Sequence, residues 1–80
     1  MALYSVTTEK APETVIEEAK GYFGEEGLGL NVTVENACCL TLEGGGGHVS
    51  VTASAGERKT EVELETREWD YHVKKFMSRV

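Results

Sequence analysis

Between Leu28 and Glu65 apolar and polar residues alternate with a period of two through four successive segments, and nothing else in the chain restricts its fold as strongly. In the first segment Leu28, Leu30, Val32 and Val34 alternate with Gly29, Asn31, Thr33 and Glu35, which predicts a strand half buried on one face. After a turn at Asn36, Cys38, Leu40 and Leu42 point one way, and Cys39, Thr41 and Glu43 the other. Four glycines, Gly44 to Gly47, lead into a third segment where Val49, Val51, Ala53 and Ala55 alternate with His48, Ser50, Thr52 and Ser54. The stretch "AGER" then turns the chain into "KTEVELET", with Val62 and Leu64 inward and Glu61, Glu63 and Glu65 outward. Short connections between these segments favour an antiparallel meander.

Helical periodicity flanks the alternating region. Ahead of it, "LYSV" from Leu3 to Val6 reads as a first strand, and "APETVIEEAKGYF" as an amphipathic helix. Pro12 suits the first helical turn, and Val15, Ile16, Ala19, Tyr22 and Phe23 recur at three- and four-residue spacing. Gly24 is placed to end that helix in a left-handed conformation. At the other end, "EWDYHVKKFMSRV" sets Trp69, Val73, Phe76, Met77 and Val80 on one helical face. Its acids come early and its bases late, as the helix dipole favours, and Asp70 and Lys74 have the spacing of an ion pair. The order β-α-β-β-β-β-α predicts an α+β two-layer sandwich: an antiparallel sheet with both helices on one face, the other face polar. The first strand, joined by a helical crossover, is expected to lie beside the last.

A chain of 80 residues supports one core, so residues 1–80 form a single domain. The start "MALYSVTTEK" lacks a basic region followed by an apolar run, and no uncharged stretch is long enough to span a bilayer. A soluble, cytoplasmic protein without membrane association is the expectation. Adjacent cysteines cannot staple distant segments, so Cys38 and Cys39 are expected as reduced thiols, Cys38 in the core and Cys39 exposed and mildly reactive. Fourteen acidic against eight basic residues give a net charge of -6, and before Arg58 the only basic residues are Lys10 and Lys20. Such a surface repels a phosphate backbone, which excludes nucleic acid as a partner.

None of the individual motifs supplies a reaction. The glycine run leads into a strand, whereas a phosphate-binding loop opens a helix and ends in Gly-Lys-Ser/Thr; Glu43 also stands beside it. It reads as a hairpin turn in which glycine supplies positive φ. Neighbouring strand residues diverge, so Cys38 and Cys39 cannot share a zinc tetrahedron. His48 and Ser50 lie roughly 6.5 to 7 Å apart along a strand, too far for a base to reach a nucleophile. His72 borders the apolar face of the last helix, as a packing residue would. A straight strand spreads Glu61, Glu63 and Glu65 too widely for a hard cation, and their row reads as a solvated face. The "NVT" at Asn31 matches a glycosylation acceptor in mid-strand and reads as coincidence. No metal, no cofactor and no catalytic residue is implied.

The element order, and "TEVELETREWDYHVKKFM" running a strand into the closing helix, resemble the layout of the helix-grip domains of polyketide cyclases and START-type lipid carriers. The chain is shorter than that family's pattern by strands and a helix, so no residue roles transfer. The resemblance implies a small apolar ligand between the sheet and the last helix, in a groove lined by Tyr22, Phe23 and Trp69. An enclosed pocket of roughly 300 Å³ would cost on the order of 7 kcal/mol when empty, at about 24 cal/mol per Å³, comparable to a small domain's whole stability. A shallow groove or a dimer avoids that cost. Two functions stay open: a non-catalytic protein-interaction or assembly module, using a sheet edge or the exposed Tyr71, or a binder or cyclase-like enzyme acting on a small apolar ligand.

Overall fold

Each alternating segment becomes a strand, and each helical stripe a helix lying on the sheet. In a computed structural model describing residues 1–80, the elements are β1 (Ala2–Thr8), α1 (Pro12–Phe23), β2 (Asn31–Glu35), β3 (Cys39–Gly44), β4 (Gly47–Ala55), β5 (Thr60–Arg67) and α2 (Asp70–Met77). The sheet has the order β1-β5-β4-β3-β2 and every pairing is antiparallel. The later four strands form the expected meander, β1 pairs beside β5, and the α1 crossover joins β1 to β2 at the opposite edge of the sheet.

One face of the sheet supplies Leu40, Leu42, Val49, Val51, Ala53, Val62 and Leu64 to the core, and the two helices cover it. From α1 come Val15, Ile16, Ala19 and Phe23, and from α2 Val73 and Phe76. Phe23 and Phe76 meet with ring centroids 5.4 Å apart, so the two helices touch each other as well as the sheet. The inward register of β5 continues to Thr66, which is buried and donates its hydroxyl to the His48 carbonyl at 2.9 Å. Thr60 does likewise toward the Lys10 carbonyl at 2.6 Å, and no buried side-chain polar atom lacks a partner.

Several local expectations are corrected. The half-buried strand expected from Leu28 to Glu35 begins only at Asn31, and all five of its residues are exposed. Leu30 is buried, but it precedes β2. Helix α1 packs mainly on β3 and β4 and α2 on β5, so neither helix packs closely on the outer strand β2. A bulge between Val32 and Val34 then pairs Val32 with the inward Leu42 but Val34 with the outward Thr41, putting the two valines on opposite faces. Ala55, expected inward, is exposed at the last position of β4.

Cys38 lies in the turn before β3 and is exposed, its amide held by Asn36 Oδ1 at 3.1 Å, while Cys39 is half-buried. The two sulfurs form a disulfide between neighbours, in place of reduced thiols with Cys38 in the core. The alternation failed at Cys38 because the strand's covered part begins at Leu40. Gly24 caps α1 with its amide donating to the Lys20 carbonyl, but at φ -77° and not in the left-handed region. Asp70 accepts from the Tyr4 hydroxyl at 2.8 Å, and the ammonium of Lys74 lies 5.7 Å over the Tyr4 ring instead of pairing with Asp70.

Candidate functional site

Three kinds of surface concern a possible site: the open face of the sheet, the groove between the helices, and the two sheet edges.

The open face follows from strand register. Cross-strand neighbours share a face, so one row runs Leu3, Glu65, Ser50, Thr41, Val34 and the next Ser5, Glu63, Thr52, Cys39. His48 Nε2 lies 3.3 Å from Glu65 Oε1. Glu65 reaches His48 diagonally through the β4–β5 pairing, in which His48 faces Arg67 and Ser50 faces Glu65, a proximity that spacing along one strand does not reveal. Ser50 is engaged elsewhere, its hydroxyl 3.2 Å from that of Thr41. The face therefore carries an acid–histidine contact with no nucleophile attached. Glu61, Glu63 and Glu65 stand along β5 as the alternation requires, and no three His, Cys, Asp or Glu side chains gather on a common point.

The glycine run is a two-residue hairpin connection. Gly44 pairs with Gly47, and Gly45 and Gly46 between them have φ of 58° and 79°. Trp69 Nε1 donates to the Gly44 carbonyl at 2.9 Å, and the indole lies so close over Gly45 that a Cβ there would be 3.0 Å from the ring.

That position separates Trp69 from the other two residues grouped with it. Phe23 is enclosed in the core. Tyr22, half-buried, lines an open groove of about 540 Å³ between α1 and α2, whose other apolar residues are Leu28 and Phe76. Along this groove stand His72, Lys75 and Arg79. Its one acid, Glu18, is already held by the Lys10 ammonium at 2.9 and 3.1 Å. His72 packs against Trp69 at 5.6 Å between ring centroids, whereas Tyr22 packs against Phe76. The groove that Tyr22 lines thus lies between the two helices, and its lining includes neither Phe23 nor Trp69.

The tie between β1 and α2 has an electrostatic signature. The Tyr4 hydroxyl is held above the usual phenol range, first because it donates to the Asp70 carboxylate, then through partial desolvation and the charge of Asp70. No helix of the protein is long and apolar enough to cross a membrane. No protein-family model matches this chain, and no curated protein matches it.

Proposed function

We propose that this chain is a non-catalytic assembly module that self-associates by pairing β1 with β1 of a second copy. The observation that carries this reading is the contrast between the two sheet edges. Exposed strand edges are templates for further pairing, and folded proteins ordinarily blunt them with charge, proline or bulges. The β2 edge has such protection: a bulge, and Glu35 bridged to Lys20 at 3.1 Å. The β1 edge has none. Its seven residues, ALYSVTT, contain no charge and no proline, and pair without interruption from Ala2 opposite Thr66 to Thr8 opposite Thr60. Leu3 within it and Met1 just before it are 70% and 88% exposed.

The strand suits a copy of itself. A two-fold axis through its midpoint, Ser5, sets Leu3 of one copy against Thr7 of the other and joins the two sheets. The net charge of -6 does not oppose this. The glutamate rows on the two β5 strands would stand three strand spacings apart, about 14 Å, beyond the Debye length of about 8 Å at physiological salt. With few apolar side chains to cover, the interface is small, and a dissociation constant on the order of micromolar or weaker follows.

Sedimentation velocity between about 1 µM and about 1 mM tests it. Mass should rise toward the dimer across that range. Ser5→Lys should keep the protein monomeric, since lysines would meet across the axis while each remains opposite its own Glu63. A wild-type monomer at the highest concentration, or a dimer indifferent to Ser5→Lys, overturns the reading.

A further inference from the structure

We propose that the groove between α1 and α2 binds a small anionic amphiphile, a carboxylate on a medium-length aliphatic chain, independently of any pairing at β1. Three separate observations meet there.

The first is an unexplained glycine. Gly21 lies within α1, where glycine weakens a helix by roughly 0.5–1 kcal/mol relative to alanine. The protein's own packing gives no reason for it, because a Cβ at Gly21 would meet nothing within 4 Å. Gly21 lines the groove beside Tyr22, and its missing side chain leaves that wall open. An occupant from outside the chain accounts for the residue where internal packing does not.

The second is the charge pattern. In a chain of net charge -6, the groove carries Lys75 and Arg79 with no carboxylate partner. Each cation rests on an aromatic face: Arg79 lies 5.1 Å from the Tyr22 ring centroid and Lys75 5.2 Å from that of Tyr71. Those contacts position the charges without neutralising them. The nearby Glu18 does not cancel them, being paired with Lys10. Two unpaired cations lining a partly apolar groove favour an anion carrying an apolar tail over a neutral or cationic one.

The third is size. About 540 Å³ is within the usual range for small-molecule sites, roughly 300–1,000 Å³, and the half-buried Tyr22 and Leu28 offer apolar contact along it. A carboxylate would sit against the Arg79 guanidinium and the Lys75 ammonium, with its tail running over Gly21 between Tyr22, Leu28 and Phe76. Because the groove opens to solvent, it does not carry the cost of an enclosed void.

The probe is decanoate at concentrations below micelle formation, titrated into the full chain at low protein concentration, where it is monomeric. Saturable binding followed by amide chemical shifts at Gly21, Tyr22 and Arg79 is expected. Decan-1-ol, with the same tail and no charge, should bind at least about tenfold more weakly, as should decanoate to the double variant Lys75→Gln, Arg79→Gln. Gly21→Ala should raise Tm, because helix propensity improves and nothing clashes, while Gly21→Leu should fill the trough and abolish binding. Tm and far-UV circular dichroism report whether Gly21→Leu is folded; if it is not, loss of decanoate affinity in the stabilised Gly21→Ala serves as the occupancy test. Absence of saturation, equal affinity for the alcohol, unchanged binding in folded Gly21→Leu, or capture only by anionic lipid vesicles or an acidic peptide overturns the proposal. A dimer that forms regardless of decanoate leaves the pairing at β1 standing, so the two ideas fail separately.

Discussion

The indole of Trp69 and the carbonyl of Gly44 are joined by a hydrogen bond of 2.9 Å, which fastens the start of α2 to the β3–β4 hairpin. That contact explains why the hairpin needs glycine for two different reasons. At Gly45 the backbone is left-handed and the ring also occupies the space of a side chain; at Gly46 only the backbone is unusual.

Gly45→Ala should therefore destabilise by about 1–2 kcal/mol from the left-handed conformation alone, and further if the indole is pushed off its acceptor. Gly46→Asn, at a φ of 79° with open space around it, should stay within about 0.5 kcal/mol of the parent. Thermal unfolding distinguishes the two. Emission from the single tryptophan should shift in Gly45→Ala and hold in Gly46→Asn.

The Tyr4–Asp70 bond predicts an alkaline limit to stability. Donation to a carboxylate raises the folded-state value of the phenol above its unfolded one. The contribution is thus fully present below the unfolded value near about 10 and is lost as pH rises through the raised folded value. The difference in phenolate absorbance between wild type and Tyr4→Phe isolates this hydroxyl, whose transition should lie above about 10 and move down in Asp70→Asn. A Tyr4 transition unaffected by Asp70→Asn would remove the proposed cause.

The cysteines should behave in an order opposite to the one suggested by strand alternation. Unreduced protein should take up no alkylating reagent, and after reduction the exposed Cys38 should react faster than the half-buried Cys39. A bridge between neighbours closes almost no chain, so replacing both by serine should change stability by less than about 1 kcal/mol. Mass spectrometry of labelled peptides and a thermal melt check the two statements.

What the sequence made legible was periodic. Alternation at Leu40, Leu42, Val49, Val51, Val62 and Leu64 identified the covered sheet face, and the three- and four-residue stripes identified the helix faces. Two kinds of information were out of reach. Alternation states which residues share a face but not how far a helix extends over it, so Val32, 38% exposed, and Val34, 48% exposed, read as core. Pairings between distant strands are equally silent: Glu65 beside His48, Asp70 beneath Tyr4 and the carbonyl of Gly44 beneath Trp69 all depend on register and on the β1 return. The groove was legible only as a list of aromatics. That Tyr22 lines it, Phe23 is sealed below and Trp69 stands at the hairpin depends on the helix crossing.

The closing helix tests whether this small core has any reserve. Phe76 is buried against Tyr22 and Phe23, at 5.6 and 5.4 Å between ring centroids, and Val73 lies fully inside. Replacing Phe76 with alanine should cost roughly 3–5 kcal/mol, a large part of the 5–15 kcal/mol typical of a whole domain. Removing α2 takes away Phe76 and Val73, the Trp69 tie to the hairpin and the Asp70 acceptor at β1 together. A chain ending at Thr66 should then show no cooperative thermal transition. If α2 were a detachable cover, the same chain would still melt cooperatively within a few degrees of the full protein, with the sheet and α1 intact. The aromatic contacts argue for the first outcome, because Phe23 of α1 would lose its partner in the core and face water across the exposed sheet.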